Sequence, residues 1–129
     1  MAQTPKTEPT HVGDVVKYET PFNFCRKKLT LKAATTQSVE VGSPLRDNTG
    51  YILVANGQEA NATAIALEAV EATGGEEIVC LVRGPAVIDA DRLHLETGVS
   101  WSELEPYFAA LGILAREEPD KLTTGPEVA

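Results

Sequence analysis

Short stretches of alternating apolar and polar residues, each cut off by turn chemistry, run through most of this chain. Leu29, Leu31 and Ala33 alternate with Thr30 and Lys32, the period-2 pattern of a half-buried strand. Val39 and Val41 repeat the pattern before Gly42, Ser43 and Pro44 break it. A turn follows at Asp47-Asn48-Thr49-Gly50, then an apolar run over residues 51–55 that ends at Asn56-Gly57. Gly74-Gly75 punctuates the chain again, ahead of a strand-length apolar run over residues 78–82. That run closes at Arg83-Gly84-Pro85, and a further short strand is expected over residues 86–88. Residues 62–72 are open to two readings. Their Ala, Leu and Glu content favours helix, with Asn61 or Thr63 as cap, whereas Ile65, Leu67 and Ala69 alternate as a strand would.

One helix is predicted together with its ends. Ser102 and Glu105 form an S-x-x-E capping box, Leu104, Phe108 and Leu111 line one face, and Gly112 is the stop. Ser102 is preferred to Ser100 as cap because Ser100 would push Pro106 to the sixth helical position, where it costs about 3 kcal/mol. Trp101, just before the cap, can staple onto the first turn. Residues 113–115 read as a closing strand, and residues 117–129, with Pro119 and Pro126, as a loose tail. The whole is mainly β with one short α-helix, and 129 residues suit a single core.

The start of the chain has a different character. Residues 1–8 are polar and contain Pro5, so they are expected to be disordered. Residues 12–24 then carry Val12, Val15, Val16, Tyr18, Phe22 and Phe24, a heavy apolar load. Val16 and Tyr18, then Phe22 and Phe24, have the spacing of extended segments, while Pro21 between them disfavours a central strand. Two readings stand side by side. Either the aromatics pack on their own domain's core, or they belong to an arm that orders by adding a strand to a partner's sheet.

Charge separates this segment from the rest. The formal net charge of −8 has the wrong sign for a chain that neutralises phosphates, so nucleic acid is not expected as a main partner. Residues 1–32 hold six cations against three acids, a balance of +3, and the remainder of the chain carries −11. The first quarter is therefore expected to be used differently, against another protein surface. No run approaches the roughly 20 apolar residues that span a bilayer, so no membrane partner is expected, and no secretory pattern opens the chain, so cytosolic synthesis is.

Candidate chemistry is sparse. Cys25 and Cys80 form no C-x-x-C, His11 and His94 stand alone, and neither a metal nor another cofactor is indicated. Two reduced, buried thiols are the expected state. Asp89 and Asp91 form a D-x-D pair able in principle to share a metal or act as acid and base, but the same residues also suit a local turn. Gly42-Ser43-Pro44 is not a nucleophile elbow, no G-x-x-x-x-G-K is present, and no serine has a His and Asp partner set. No catalytic constellation is indicated, and the chain is read as a non-enzyme.

Several segments, in order, resemble one family. Gly13-Asp14-Val15-Val16-Lys17-Tyr18-Glu19, then Val41-Gly42-Ser43-Pro44-Leu45, are similar to segments of the lambda-like head decoration proteins of tailed bacteriophages. Ala64-Ile65-Ala66-Leu67-Glu68 and residues 78–87, beginning Ile78-Val79-Cys80, resemble that family's paired central strands, and Leu111-Gly112-Ile113 its closing motif. The resemblance implies a small, mostly β fold with a short helix, assembled as homotrimers on the outside of the virion's capsid after synthesis in the host cytoplasm. It implies a cement role, stabilising the expanded head against internal DNA pressure. It also implies that the N-terminal arm pairs with strands of the major capsid protein, a role that falls here to Val12, Val15, Val16, Tyr18, Phe22 and Phe24. Finally, it shifts residues 64–70 to strand, against their propensity.

The expected organisation is a flexible capsid-binding arm over residues 1–27, a β-rich decoration domain over 28–118 and a loose tail over 119–129. Pro85, Trp101 and Tyr107, large apolar groups beside loops, are the candidate trimer contacts. The alternatives are a soluble β-rich oligomeric binding module or assembly subunit outside a phage capsid, and a small enzyme using Asp89 and Asp91.

Overall fold

The computed structural model describes residues 10–21 and 23–116, so the start expected to be disordered, Phe22 and the expected loose tail lie outside the described residues. Among the described residues, ten strands form three sheets around one main helix, which is the mainly β class with a short helix that the sequence predicts. The central sheet is antiparallel. It contains β2 (Arg26–Thr30), β4 (Pro44–Asp47), β5 (Tyr51–Leu53), β6 (Ala62–Ala66) and β8 (Glu77–Leu81), in the order β2-β8-β6-β4-β5. A second sheet contains β1 (Val16–Glu19), β9 (Ala86–Ile88) and β10 (Ile113–Ala115), with β9 in the middle, antiparallel to β1 and parallel to β10. A third pairs β3 (Gln37–Val39) with β7 (Val70–Ala72).

Both faces of the central sheet are buried, and strand alternation divides its side chains between two cores. Ile65 and Leu81 face a cluster with Ile88, Ile113, Leu104 and Phe108, the last two on helix α2 (Trp101–Ala110). Ala64, Ala66, Ile78 and Cys80 face the other way, against Leu29, Leu45, Val39 and Ala72. This double burial explains why strand overrides helix propensity over Ala62–Ala66: a helix would present one apolar face where two cores need filling. The strand is shorter than residues 64–70, since Leu67 to Ala69 leave the ladder before β7.

The edges of the central sheet are handled differently. Leu31 bridges Tyr51, so the sheet curls until the ends of β2 and β5 meet. Buried Gln37 then satisfies β5 by donating its side-chain amide to the Tyr51 carbonyl at 3.0 Å and accepting from the Leu53 N–H at 2.9 Å. The other end of β2, with Lys27 and Lys28 exposed, has no second strand partner among the described residues.

The two cysteines are free and buried in opposite cores, Cys25 in the first and Cys80 in the second, so the sheet lies between them. Burial pushes the Cys80 thiol up to about 12. Its thiolate fraction at pH 8 is then roughly one in ten thousand. Cys80 is expected to resist iodoacetamide at pH 8 in the native protein and to react on unfolding, which mass spectrometry of the labelled chain will check.

Helix α2 begins two residues earlier than the capping-box reading allows, with Ser100 at the cap and Pro106 at the sixth position. The cost is reduced because the carbonyl that Pro106 leaves without a donor belongs to exposed Ser102, where water reaches it. The gain is that Trp101 joins the helix and stacks on Phe108, with centroids 6.0 Å apart and the rings 10° from parallel. The helix stops as predicted at Gly112, which has φ +87° and runs directly into β10.

That stop is locked to the loop before β9. Gly84 N–H donates to the Leu111 carbonyl at 2.8 Å and Ala86 N–H to the Gly112 carbonyl at 3.1 Å. A Cβ on Gly84 would overlap the Gly112 carbonyl and carbon. Gly84→Ala is therefore expected to cost about 1–3 kcal/mol or more, read as a lowered urea midpoint.

Candidate functional site

The N-terminal segment does not form a free arm from Val12 onwards. One helical turn, α1 (Val12–Val15), is held by the His11 N–H donating to Asp14 Oδ2 at 2.9 Å. That bond, then the nearby Arg92 guanidinium at 3.5 Å, holds the Asp14 carboxyl below its ordinary range. Val15 is fully buried in the first core, and Val12 and Val16 pack against it from partly buried positions. The chain is then extended as β1, whose residues pair with β9 at Val16–Ile88, Tyr18–Val87 and Glu19–Ala86. The arm expected over residues 1–27 thus has its valines in the domain, because strand β9 offers them a partner and the core a place for Val15.

The aromatics behave otherwise. Tyr18 is 54% exposed and Phe24 50% exposed, although both belong to a segment rooted in the core. Phe24 lies under the Arg83 guanidinium, 4.8 Å from its ring centroid, and Arg83 Nε donates to the Phe24 carbonyl at 2.9 Å. Exposed Pro85 belongs to the same patch: its carbonyl accepts from the Thr20 N–H at 3.2 Å and from Cys25 Sγ at 3.6 Å. The turn from β1 to β2 is closed by a bidentate pair in which Arg26 Nε and its terminal amine donate to the Glu19 carboxylate. This pairing, outweighing partial burial, raises the Arg26 pKa further. Two of the basic segment's charges are therefore consumed locally.

β1 is an edge strand, with β9 on one side and no strand partner on the other among the described residues. Tyr18 stands on this edge strand, while Pro85 lies on its paired side, where its carbonyl accepts from Thr20 just beyond β1. An exposed edge of this kind presents unpaired backbone donors and acceptors to any incoming strand.

The three candidate trimer contacts differ in setting. Pro85 lies with the N-terminal patch, Trp101 is half-buried against Phe108, and Tyr107 faces out from α2 at 41% exposure. The Asp89 and Asp91 pair is a local device. Asp89 is buried, accepts from the Asp91 N–H at 3.1 Å to cap the 3₁₀ turn Ala90–Arg92, and faces Arg116 at 3.6 Å. Among the described residues no helix is long and apolar enough to cross a membrane.

A second feature escaped sequence reasoning. The 3₁₀ turn Glu59–Asn61 packs against the start of α2, and Glu59 is buried there. Its Oε1 accepts from the Gly57 N–H at 3.0 Å, while buried Oε2 has no partner among the described residues when both nearby carboxyls are ionised. Glu103 faces the same cleft. A lone Glu in a polar loop carries no sequence signal for burial, and Glu103 reads only as one more acid in a helical first turn.

Taken together, these features define a small β-rich α+β domain whose open edge strand carries an exposed tyrosine. Over residues 5–116, most of its length, the chain matches the family described as bacteriophage lambda head decoration protein D, and it belongs to that family. The family is one of structural components of the phage capsid, which associates this chain with the virion. No curated protein matches the sequence.

Proposed function

We propose that this chain binds as a homotrimer to the outside of the expanded phage head and braces it against the pressure of packaged DNA, without catalysis. The contact with the major capsid protein is strand addition at the N-terminal segment, with β1 as the accepting edge. The observation that carries this reading is the open edge of β1, a strand that carries half-exposed Tyr18, in a chain of the decoration family.

The energetics favour such an arrangement. A wholly disordered arm spends about 1–2 kcal/mol per residue on ordering when it docks. Here the edge is ordered beforehand by β9 and by Val15 in the core, so that cost is already met within the fold. Three such edges on one trimer then act together, and linkage raises avidity by about 10²–10⁴ over a single contact. Removal of residues 1–24 would also remove Val15, so point substitutions at exposed residues separate binding from folding better than truncation.

Two measurements test the proposal. Light scattering of the purified chain is expected to give three times the 13.8 kDa chain mass, and the trimer is expected to co-sediment with expanded shells. A monomer that leaves expanded shells bare would instead fit a binding module outside the capsid.

A further inference from the structure

The cleft between the 3₁₀ turn Glu59–Asn61 and α2 has a volume of about 350 Å³ and is lined by Gly57, Glu59, Ala60, Ser102, Glu103, Pro106 and Tyr107. Its floor is a carboxylate 92% withdrawn from solvent, whose buried Oε2 has no donor among the described residues except the Glu103 carboxyl in its protonated form. Glu103 adds a second carboxyl, and hydrogen bonding and repulsion from Glu59 hold it above its ordinary range. No cationic side chain of the described chain lines the cleft, and Arg46, which reaches Gln58 just before it, donates to the Gln58 side-chain oxygen at 2.9 Å. The exposed Tyr107 ring and Pro106 form a wall suited to the apolar stem of a long cationic side chain.

The complementary half is on the same molecule. Among the described cations, Lys17, Lys32, Arg26, Arg46, Arg83, Arg92 and Arg116 each bind an oxygen of this chain. Lys27 and Lys28, exposed on the open end of β2, have no such partner among the described residues. We infer that the Glu59–Glu103 cleft receives a lysine of the β2 edge from a second copy of this chain. Such a contact joins two different patches, so it is heterologous and closes into a ring when the rotation permits. The inference rests on the trimer reading above and names two faces for it.

Charge reversal tests this, with light scattering and sedimentation equilibrium as the readouts and thermal melts confirming that each variant folds. Glu103→Lys, at an exposed position, and the double variant Lys27→Glu/Lys28→Glu are each expected to weaken self-association about tenfold or more, and their combination to restore it. A wild-type trimer with variants that assemble equally well overturns the contact and leaves the trimer standing. So does weakening without rescue, or lysine variants that remain trimeric and lose only capsid binding. A monomeric wild type overturns the trimer reading itself.

Discussion

Replacing Phe108 by alanine is expected to destabilise the domain by about 3–5 kcal/mol, a large part of the roughly 5–15 kcal/mol that holds a domain of this size together. Phe108 is fully buried, stacks on Trp101 and sits one turn from Leu104, so it joins α2 to the β-sheets that face it. Truncation removes the transfer free energy of the ring and leaves a cavity. The surroundings can close it only by moving α2, whose far end is tied at Gly84 and Gly112. Urea unfolding will measure this as a lower midpoint with an unchanged slope. A loss within 1 kcal/mol would contradict the packing described here.

What the sequence revealed and what it hid have physical causes. Turn residues at Asp47–Gly50, Gly74-Gly75 and Gly84-Pro85 marked the strand ends because backbone conformation there depends on local chemistry. The fate of residues 62–72 was hidden because it is decided by cores on both faces of the sheet, which no local window contains. The cap at Ser100 was hidden for a related reason: the penalty at Pro106 is visible locally, but its offset, the Trp101–Phe108 stack, needs the folded helix. The apolar load of residues 12–24 was legible, yet its division was not. Alternation cannot tell Val15, which finds a core, from Tyr18, which remains on the surface. The Glu59–Glu103 cleft was invisible because burial of a loop carboxylate depends on what packs over it.

The second large effect is expected at Tyr18. Tyr18→Asp places a charge beside the open edge of β1 at a position that is more than half exposed, so its cost to stability is within about 0.5 kcal/mol. An incoming capsid strand would have to bury that charge next to its own backbone. A loss of about 1.4 kcal/mol at one edge is tenfold in affinity. Three linked edges compound it toward a thousandfold in avidity. Phe24→Asp, in the turn between β1 and β2, also releases Arg83.

The most direct measurement is therefore co-sedimentation of the intact chain and of Tyr18→Asp with expanded and with precursor shells. The account predicts that the intact protein coats expanded shells and leaves precursor shells bare, and that folded Tyr18→Asp coats neither. Undiminished binding of Tyr18→Asp to expanded shells would contradict the assignment of the β1 edge as the capsid contact.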